Sequence, residues 1–324
     1  MSDPSFQPLA FGVCAGITVG MQLLFFAIAF TYKFDKVTDL AGCTNFVILA
    51  FVVCVWKYEN VTPRQIVATS LVVASRLQLA VYLCYRVCKR GRDSRFDEMR
   101  SKCLQFLGFW ILQMLWVYVV SAAIIYIDST FVTPDPPLGG WDFAGWALFG
   151  AGFLLQVAAD YQKNAFRSDP SNSKKVCSLG VWRYSRHPNF CGEILMWWAV
   201  YLMGVPLFTA SPAGFATVVS PLFTMLLLLV VSGIPFAEGQ FSARWYDGAD
   251  SEREYVAYFE STPPLWLCPP RLYGPLPLLV KRTLCFELPS YRYVRKSSSG
   301  RARGDSGAST PPDELNVVVG IGDS

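Results

Sequence analysis

Charged residues are scarce in this chain of 324 residues: 16% are Asp, Glu, Lys or Arg, whereas 53% are hydrophobic. Soluble domains usually carry about 25% charged residues. This deficit excludes an ordinary soluble domain, and a net charge of +4 is too small to indicate nucleic-acid binding. The composition therefore predicts a membrane protein.

Residues that bind metals are also few. The chain has one histidine, His187, and its ten cysteines are scattered singly along the sequence. Cys84 and Cys88 have no second pair nearby, although a zinc site uses about four ligands. We therefore expect reduced, packed cysteines and no metal.

Several familiar motifs are missing as well. The N-terminal stretch "MSDPSFQPLAF" lacks the basic region of a cleavable signal peptide, so we expect the following apolar run to remain as an anchor. No Gly-rich dinucleotide loop, phosphate-binding loop or Gly-x-Ser-x-Gly elbow occurs in the sequence. A dinucleotide would therefore bind this chain without a Rossmann domain.

Long apolar runs are what the sequence has instead. Runs of about 20 residues can cross the roughly 30 Å hydrocarbon core of a bilayer. The sequence predicts an all-α, polytopic helix bundle of about seven spans, near residues 8–31, 41–57, 65–85, 104–127, 141–159, 190–208 and 213–234.

The loops between these runs predict the orientation. Loops 85–102 and 161–189 are rich in Lys and Arg, whereas 128–140 contains neither. The positive-inside tendency then places both basic loops, and the C-terminus, in the cytosol. We expect residues 1–295 to form one membrane domain, and residues 296–324, rich in Ser, Gly and Pro, to form a disordered cytosolic tail.

Polar residues cluster at the ends of three of these runs. Asp39 and Asn45 lie near the start of the second run, and "ADYQKNAFR" ends the fifth. The third cluster is "GVWRYSRHPNFCGEILMWW" (180–198), which holds His187 and in which Glu193 lies one helical turn beyond Asn189. Ionisable groups at membrane depth are costly and usually functional.

These clusters predict a pocket at the cytosolic face of the bundle. Arginines offer paired donors to phosphate, acidic and amide side chains bind hydroxyls or a carboxamide, and Trp182, Tyr184 and Phe190 can stack on a flat ring. This combination fits a nucleotide-bearing cofactor, with a lipid-soluble substrate entering from the bilayer. Helix anchoring at the membrane boundary is the competing interpretation, and it explains Arg183 better than it explains Glu193.

The motifs of the fifth run and of residues 180–198 resemble the C-terminal core of the steroid 5-alpha-reductase superfamily. The likeness also includes "KFDKVTDLAGCTNF", "GRDSRFDEMR", "SGIPFAE" and "YGPLPLLVKRTLCFELPSY", and it covers about residues 25–292. It is closest to a membrane branch described only as a domain of unknown function. The resemblance implies an integral membrane reductase, in the endoplasmic reticulum, that uses NADPH.

The resemblance also implies roles for particular residues. The resemblance implies that Asp160, Arg167, Tyr184, Asn189, Glu193, Arg244 and Tyr255 bind the cofactor, and the polar clusters themselves add Gln162, Arg186 and His187 to this cofactor-binding set. Within this set we expect the phosphates near Arg167, Arg186 and Arg244, and the nicotinamide near Asn189 and Glu193. Glu193 would orient the carboxamide of the nicotinamide.

The implied reaction is the reduction of a carbon–carbon double bond in a hydrophobic, steroid- or isoprenoid-like enone. A hydrogen-bond donor must face the carbonyl oxygen, and a proton must follow the hydride. Asp39, Asn45 and Tyr82 are the candidate catalytic residues.

Two alternatives stay open. Isoprenylcysteine and phospholipid methyltransferases also carry Arg-His-Pro followed by an aromatic residue and Gly, and they bind S-adenosylmethionine in a similar helical pocket. Their paired glutamates after the final span have a single counterpart here, Glu238. The second alternative is a non-catalytic, lipid-binding membrane protein.

Overall fold

The structure is a computed structural model. It describes residues 7–33, 37–56, 61–90, 99, 102–172, 175–209, 211–246 and 249–294. The predicted tail at 296–324 and most of the basic loop after residue 90 lie outside these described residues.

The predicted class is confirmed: the described residues form helices and no strand, and seven helical segments are long and apolar enough to cross a membrane. Five of them are single helices: α1 (Pro8–Tyr32), α2 (Val37–Val55), α3 (Pro63–Arg90), α4 (Cys103–Val120) and α6 (Gly140–Ser168). The sixth is α7 (Pro188–Gly204), which a 3-10 turn (Val205–Leu207) extends. A short helix, α5 (Ala122–Ser129), continues the path of α4.

The boundaries differ from the sequence prediction where polar residues continue a helix. The fifth span was predicted to end at residue 159, but α6 continues to Ser168 and carries Asp160, Lys163 and Arg167 in its last turns. The fourth predicted span is interrupted at Ser121, between α4 and α5. Hydropathy marks the part of a helix that suits lipid, whereas backbone hydrogen bonding decides where the helix ends.

The seventh span is irregular. It comprises α8 (Ala213–Ala216), α9 (Val219–Leu226), a π-helical turn (Leu227–Val231), α10 (Ile234–Ala237) and a 3-10 segment (Gly239–Tyr246). A cap follows it, built from α11 (Ala249–Ser261), α12 (Pro270–Tyr273) and α13 (Leu278–Thr283).

Two glycines bring α6 and α7 unusually close together. A Cβ atom on Gly152 would lie 2.7 Å from the Gly192 carbonyl oxygen, so a larger side chain would separate the helices. Small residues allow such close approach between membrane helices. Because Gln156 lies one turn beyond Gly152 and Glu193 follows Gly192, this contact places these two polar side chains side by side.

A buried ion pair joins the start of α3 to the start of α6. The Nε of Arg64 donates to Asp142 Oδ1 at 2.7 Å, and Arg64 Nη2 donates to Asp142 Oδ2 at 3.1 Å. Both side chains are fully buried. The Asp142 carboxylate also accepts a hydrogen bond from the Gly139 backbone N–H at 2.9 Å, which fixes the start of α6.

Candidate functional site

A large cavity lies between helices α2, α3, α4, α6, α7 and α9. Its volume, including the opening to solvent, is about 1620 Å³. The polar and ionisable residues of its lining are Thr38, Asp39, Arg76, Tyr82, Arg86, Gln113, Gln156, Asp160, Lys163, Asn164, Arg167, Asn189, Glu193, Thr224 and Ser232. The remaining wall is mainly Leu, Phe, Trp and Val, so the cavity combines a charged region with an apolar one.

Glu193 is held by three side chains in the wall of this cavity. Arg76 donates to both carboxylate oxygens, each at 2.8 Å. The Nε1 of Trp197 donates to Oε1 at 2.7 Å, and the Nε2 of Gln156 donates to Oε2 at 3.0 Å. Each oxygen of the Glu193 carboxylate therefore already accepts two hydrogen bonds from the protein.

Arg76 is itself fixed by aromatic rings. Its guanidinium carbon lies 5.7 Å from the centroid of Phe46 and 5.4 Å from that of Trp197. Such cation–π contacts are strongest where water is excluded, and Arg76 is fully buried. The guanidinium that neutralises the charge of Glu193 is therefore held in a fixed position.

Two buried carbonyl oxygens in the cavity lining have no hydrogen-bond partner among the described residues: Gln156 Oε1 and Asn189 Oδ1. The hydrogen bond from Gln156 Nε2 to Glu193 fixes which atom of that amide is the acceptor. Buried acceptors are nearly always satisfied. The cavity therefore presents two acceptor positions, on α6 and on the first turn of α7, to hydrogen-bond donors of a ligand.

Basic residues surround the part of the cavity at the ends of α3 and α6. Arg86 lies 3.7 Å from Asp39, measured between Nη2 and Oδ2. The Nζ of Lys163 lies 4.6 Å from the Trp182 ring centroid. The guanidinium carbon of Arg167 lies 5.3 Å from the ring centroid of Trp245. This region can attract an anionic group.

The structure brings part of the predicted site together. Six of the predicted residues line the cavity: Asp39, Tyr82, Asp160, Arg167, Asn189 and Glu193. Arg244 is not in the lining, but its guanidinium carbon lies 5.1 Å from the centroid of Trp245, the same ring that Arg167 contacts. Two of the three arginines predicted to lie near the phosphates, Arg167 and Arg244, therefore contact the same ring.

Other predicted residues do not reach the cavity. The Asn45 side chain accepts a hydrogen bond from Gln22 at 3.0 Å between α2 and α1. Gln162 accepts from the Val181 N–H at 2.9 Å, which fastens the loop before α7 to α6. Tyr255 shares a 2.7 Å hydrogen bond with Ser242 in the cap, and the side chain of Tyr184 is exposed.

Arg186 and His187 belong to a separate buried cluster with two glutamates. Arg186 makes paired hydrogen bonds to Glu238, at 2.8 and 3.0 Å, and to Glu287, both at 2.9 Å. The Nε2 of His187 lies 2.8 Å from Glu238 Oε1, and Tyr273 donates to Glu287 at 2.6 Å. None of these residues is in the cavity lining.

The protonation states of this cluster follow from its burial. Burial lowers the pKa of His187, although its hydrogen bond to Glu238 acts in the opposite direction. For Arg186, burial also lowers the pKa, but the charges of Glu238 and Glu287 outweigh it and raise the pKa above its ordinary value. A neutral His187 and a charged Arg186 are the resulting forms. The cluster joins the loop before α7 to the last span and the cap.

Sequence reasoning missed Arg76 and Gln156, which complete the Glu193 arrangement. Arg76 was recognisable as a lone charge in the middle of an apolar run, "TSLVVASRLQLAVYL", and such residues usually face a bundle interior. Gln156 had no comparable signal, because a single Gln in an apolar helix is as common at a helix contact as at a ligand.

Comparison with known proteins found one relative and one family. An uncharacterized protein of Schizosaccharomyces pombe, C594.04c, is 32% identical over 173 residues. The match covers 45% of this chain and 50% of that protein, so the chain spans about half the length of this relative. No solved structure matches the chain. Residues 25–262 match the family described as "Protein of unknown function (DUF1295)", and the chain therefore belongs to the DUF1295 family.

Proposed function

We propose that this protein is an integral membrane oxidoreductase that uses NADPH to reduce a carbon–carbon double bond in a hydrophobic enone. The resemblance to steroid 5-alpha-reductases suggested this reaction, and the two-part cavity supports it. The charged region suits a dinucleotide, and the apolar region suits a lipid-soluble substrate. The endoplasmic reticulum membrane, with the cavity open to cytosolic NADPH, is the proposed location.

The observation that carries the proposal is the pair of acceptors, Gln156 Oε1 and Asn189 Oδ1, buried in the cavity lining without a partner among the described residues. A primary carboxamide presents two N–H donors on one nitrogen, which suits a cavity lined by two carbonyl oxygens without partners. Glu193 would act indirectly, because its oxygens already accept hydrogen bonds from Arg76, Trp197 and Gln156. It would hold Gln156 in the orientation that binds the ligand.

The phosphates would lie near Lys163, Arg167 and Arg244. Lys163 and Arg167 line the cavity, and Arg244 shares the Trp245 ring with Arg167. Arg186 is left out of this group because Glu238 and Glu287 occupy its donors. Arginine donors pair well with phosphate oxygens.

The substrate would enter through the apolar wall. Leu112 and Leu115 on α4, and Val231 at the end of the π-helical turn, line the cavity and keep exposed apolar surface. An apolar wall between membrane-spanning helices suits a hydrophobic molecule that would arrive from lipid. This arrangement supports a substrate with a largely hydrocarbon body.

Bound NADPH would supply a hydride to the β-carbon of the enone. The electron pair of the double bond then moves toward the carbonyl oxygen, which requires a donor, and the α-carbon takes up a proton. Tyr82 lines the cavity and is the proposed donor. Asp39 also lines the cavity, but its carboxylate lies 3.7 Å from the guanidinium of Arg86 and is an ion-pair partner rather than a donor. Asn45 is held by Gln22 between α1 and α2, so we do not assign it a role in this step.

A thermal-shift comparison of NADPH and S-adenosylmethionine on the purified full-length protein tests the proposal. A ligand at one hundred times its Kd stabilises the folded state by about 2.7 kcal/mol. We expect NADPH to raise the melting temperature, and the Gln156→Met variant to lose this shift. Gln240→Met is the matched control, because Gln240 is an exposed amide outside the cavity.

The other outcomes of this thermal-shift comparison would each favour one of the two alternative functions. Stabilisation by S-adenosylmethionine alone would contradict the reductase and favour a membrane methyltransferase. Stabilisation by neither compound would favour a non-catalytic lipid-binding protein.

A further inference from the structure

The C-terminal segment 263–294 exposes large apolar side chains beyond the last span. Leu272, Leu279 and Leu284 are 63%, 72% and 68% exposed, on or next to α12 and α13. Leu267, Leu278 and Val294 are also exposed. Single exposed leucines are ordinary, but several in one short segment indicate an interaction surface.

This segment is fastened to the apolar part of the last span. The Tyr291 hydroxyl donates to the carbonyl oxygen of Leu229, in the apolar part of that span. A Cβ atom on Gly239 would lie 2.6 Å from the Ser290 carbonyl oxygen, and Gly239 has a φ of +62°. The backbone of the segment therefore lies directly against the end of the span.

Interior contacts keep the leucines facing outward. Glu287 is buried on Arg186, and Tyr273 is buried with its hydroxyl on Glu287. The Nζ of Lys281 donates to the carbonyl oxygens of Glu260 and Gly274 at 3.1 and 3.0 Å. With these side chains fixed on the inner face, the segment cannot turn its leucines inward without breaking the buried cluster.

The charged side chains on the outer side of the segment are basic. Residues 263–294 contain four basic residues, of which Arg271, Arg282 and Arg292 are exposed and Lys281 is bound on the inner face, and a single acid, the buried Glu287. The neighbouring helix α11 is acidic instead, with Asp250, Glu252, Glu254 and Glu260 against Arg253. Basic residues beside exposed leucines are typical of segments that lie in the interface of an anionic membrane.

We propose that the segment 263–294 rests on the leaflet at its own end of the bundle, with its leucines among the acyl chains and Arg271 and Arg282 at anionic lipid headgroups. The occupant of this surface is lipid rather than a protein partner, because the surface continues directly from a membrane-spanning helix and carries the charge that complements anionic lipid. This inference is independent of the proposed reaction.

Photo-crosslinking in lipid nanodiscs tests this surface. The full-length protein would carry benzoylphenylalanine in place of Leu279 or, as a control, in place of the exposed Glu254 of α11. Each protein would be placed in nanodiscs of phosphatidylcholine with or without about 30% phosphatidylserine. We expect at least a fivefold larger yield of lipid adduct at position 279 than at 254. A yield equal to that of the control, or adducts mainly to a second protein chain, would overturn the proposal.

The electrostatic part has its own control. We expect the Arg271→Gln, Arg282→Gln double variant to lose the increase in crosslinking that phosphatidylserine causes, and the Arg253→Gln variant on α11 to keep it. An equal response of both variants to phosphatidylserine would overturn the assignment of headgroup contacts to Arg271 and Arg282. Circular dichroism and monodispersity of each variant would establish that the fold is retained.

Discussion

Two buried arginine–carboxylate clusters meet at the start of α7, and only one of them borders the cavity. Glu193 pairs with Arg76 in the cavity wall, where Gln156 and Asn189 leave acceptors for a ligand. Arg186 pairs with Glu238 and Glu287 behind that wall, where protein carbonyls from Phe259 and Thr262 take its remaining hydrogen bonds.

The difference between the two clusters distinguishes a candidate ligand site from residues that stabilise the fold. Both clusters contain ionisable groups at low exposure, so burial alone does not distinguish them. The Arg186 cluster is internally satisfied and ties together three parts of the chain, whereas Gln156 Oε1 and Asn189 Oδ1 in the cavity lining have no hydrogen-bond partner among the described residues. We therefore expect changes at Arg186 to affect stability and changes near Glu193 to affect binding.

The largest expected effect follows removal of Arg186. The Arg186→Met variant leaves Glu238 and Glu287 buried without their cation, and breaking a buried ion pair costs about 3–5 kcal/mol. Thermal unfolding in detergent should show a strongly lowered melting temperature. Size-exclusion chromatography with fluorescence detection would monitor the loss of folded protein. Arg183→Met is the matched control, because Arg183 is exposed in the preceding turn. Equal stability of the two variants would contradict the support role.

The next largest effect concerns the cavity cluster. Glu193→Gln removes the charge that pairs with Arg76 and disturbs the hydrogen bond that orients Gln156. We expect NADPH binding to weaken by about tenfold, which is about 1.4 kcal/mol, together with a loss of stability, because Arg76 stays buried without its counterion. Isothermal titration with the purified variant would measure this. Normal binding with complete loss of turnover would contradict the positioning role and make Glu193 the better proton donor.

A smaller, purely ligand-dependent effect is expected at Asn189. Asn189→Ala removes an acceptor that has no partner among the described residues, so the melting temperature without ligand should stay nearly unchanged. The shift caused by NADPH should fall, because one carboxamide hydrogen bond is lost at about 0.5–1.5 kcal/mol. An Asn189→Ala protein with an unchanged NADPH shift would remove this residue from the site.

The smallest effect is the pH dependence that His187 contributes. Because burial lowers its pKa in the folded protein, the unfolded chain binds a proton more readily, and stability rises with pH. We expect full stability above the ordinary histidine pKa of about 6.5 and a progressive loss as pH falls below it. His187→Asn should remove this contribution. A wild-type pH profile that matches the variant would contradict a neutral His187.

Much of the fold was predictable from the sequence because hydropathy depends mainly on local composition. The seven apolar runs all became helical segments. Their ends were less predictable, as the extension of α6 through Asp160, Lys163 and Arg167 shows. Polar side chains at the end of a membrane helix are compatible both with exposure to water and with a helical backbone. Composition alone therefore does not locate the last helical turn.

The candidate site was predictable only in part. The Asn189 and Glu193 spacing correctly placed both side chains on the cavity. The same stretch also held Arg186 and His187, and residue type gave no reason to separate them. Their separation arises at His187 and Pro188, where the chain changes from loop to helix and successive side chains point in different directions.

A membrane helix bundle with polar groups gathered near the start of α7 follows from the chain itself, because apolar length and the position of charges are properties of the amino-acid sequence. Which polar groups share a cavity depends on how the helices pack. The close contact of Gly152 with Gly192 set Gln156 beside Glu193, and the packing of α3 brought Arg76 to the same carboxylate over a separation of 117 residues. Such pairings depend on the distances between helices, which no local pattern encodes.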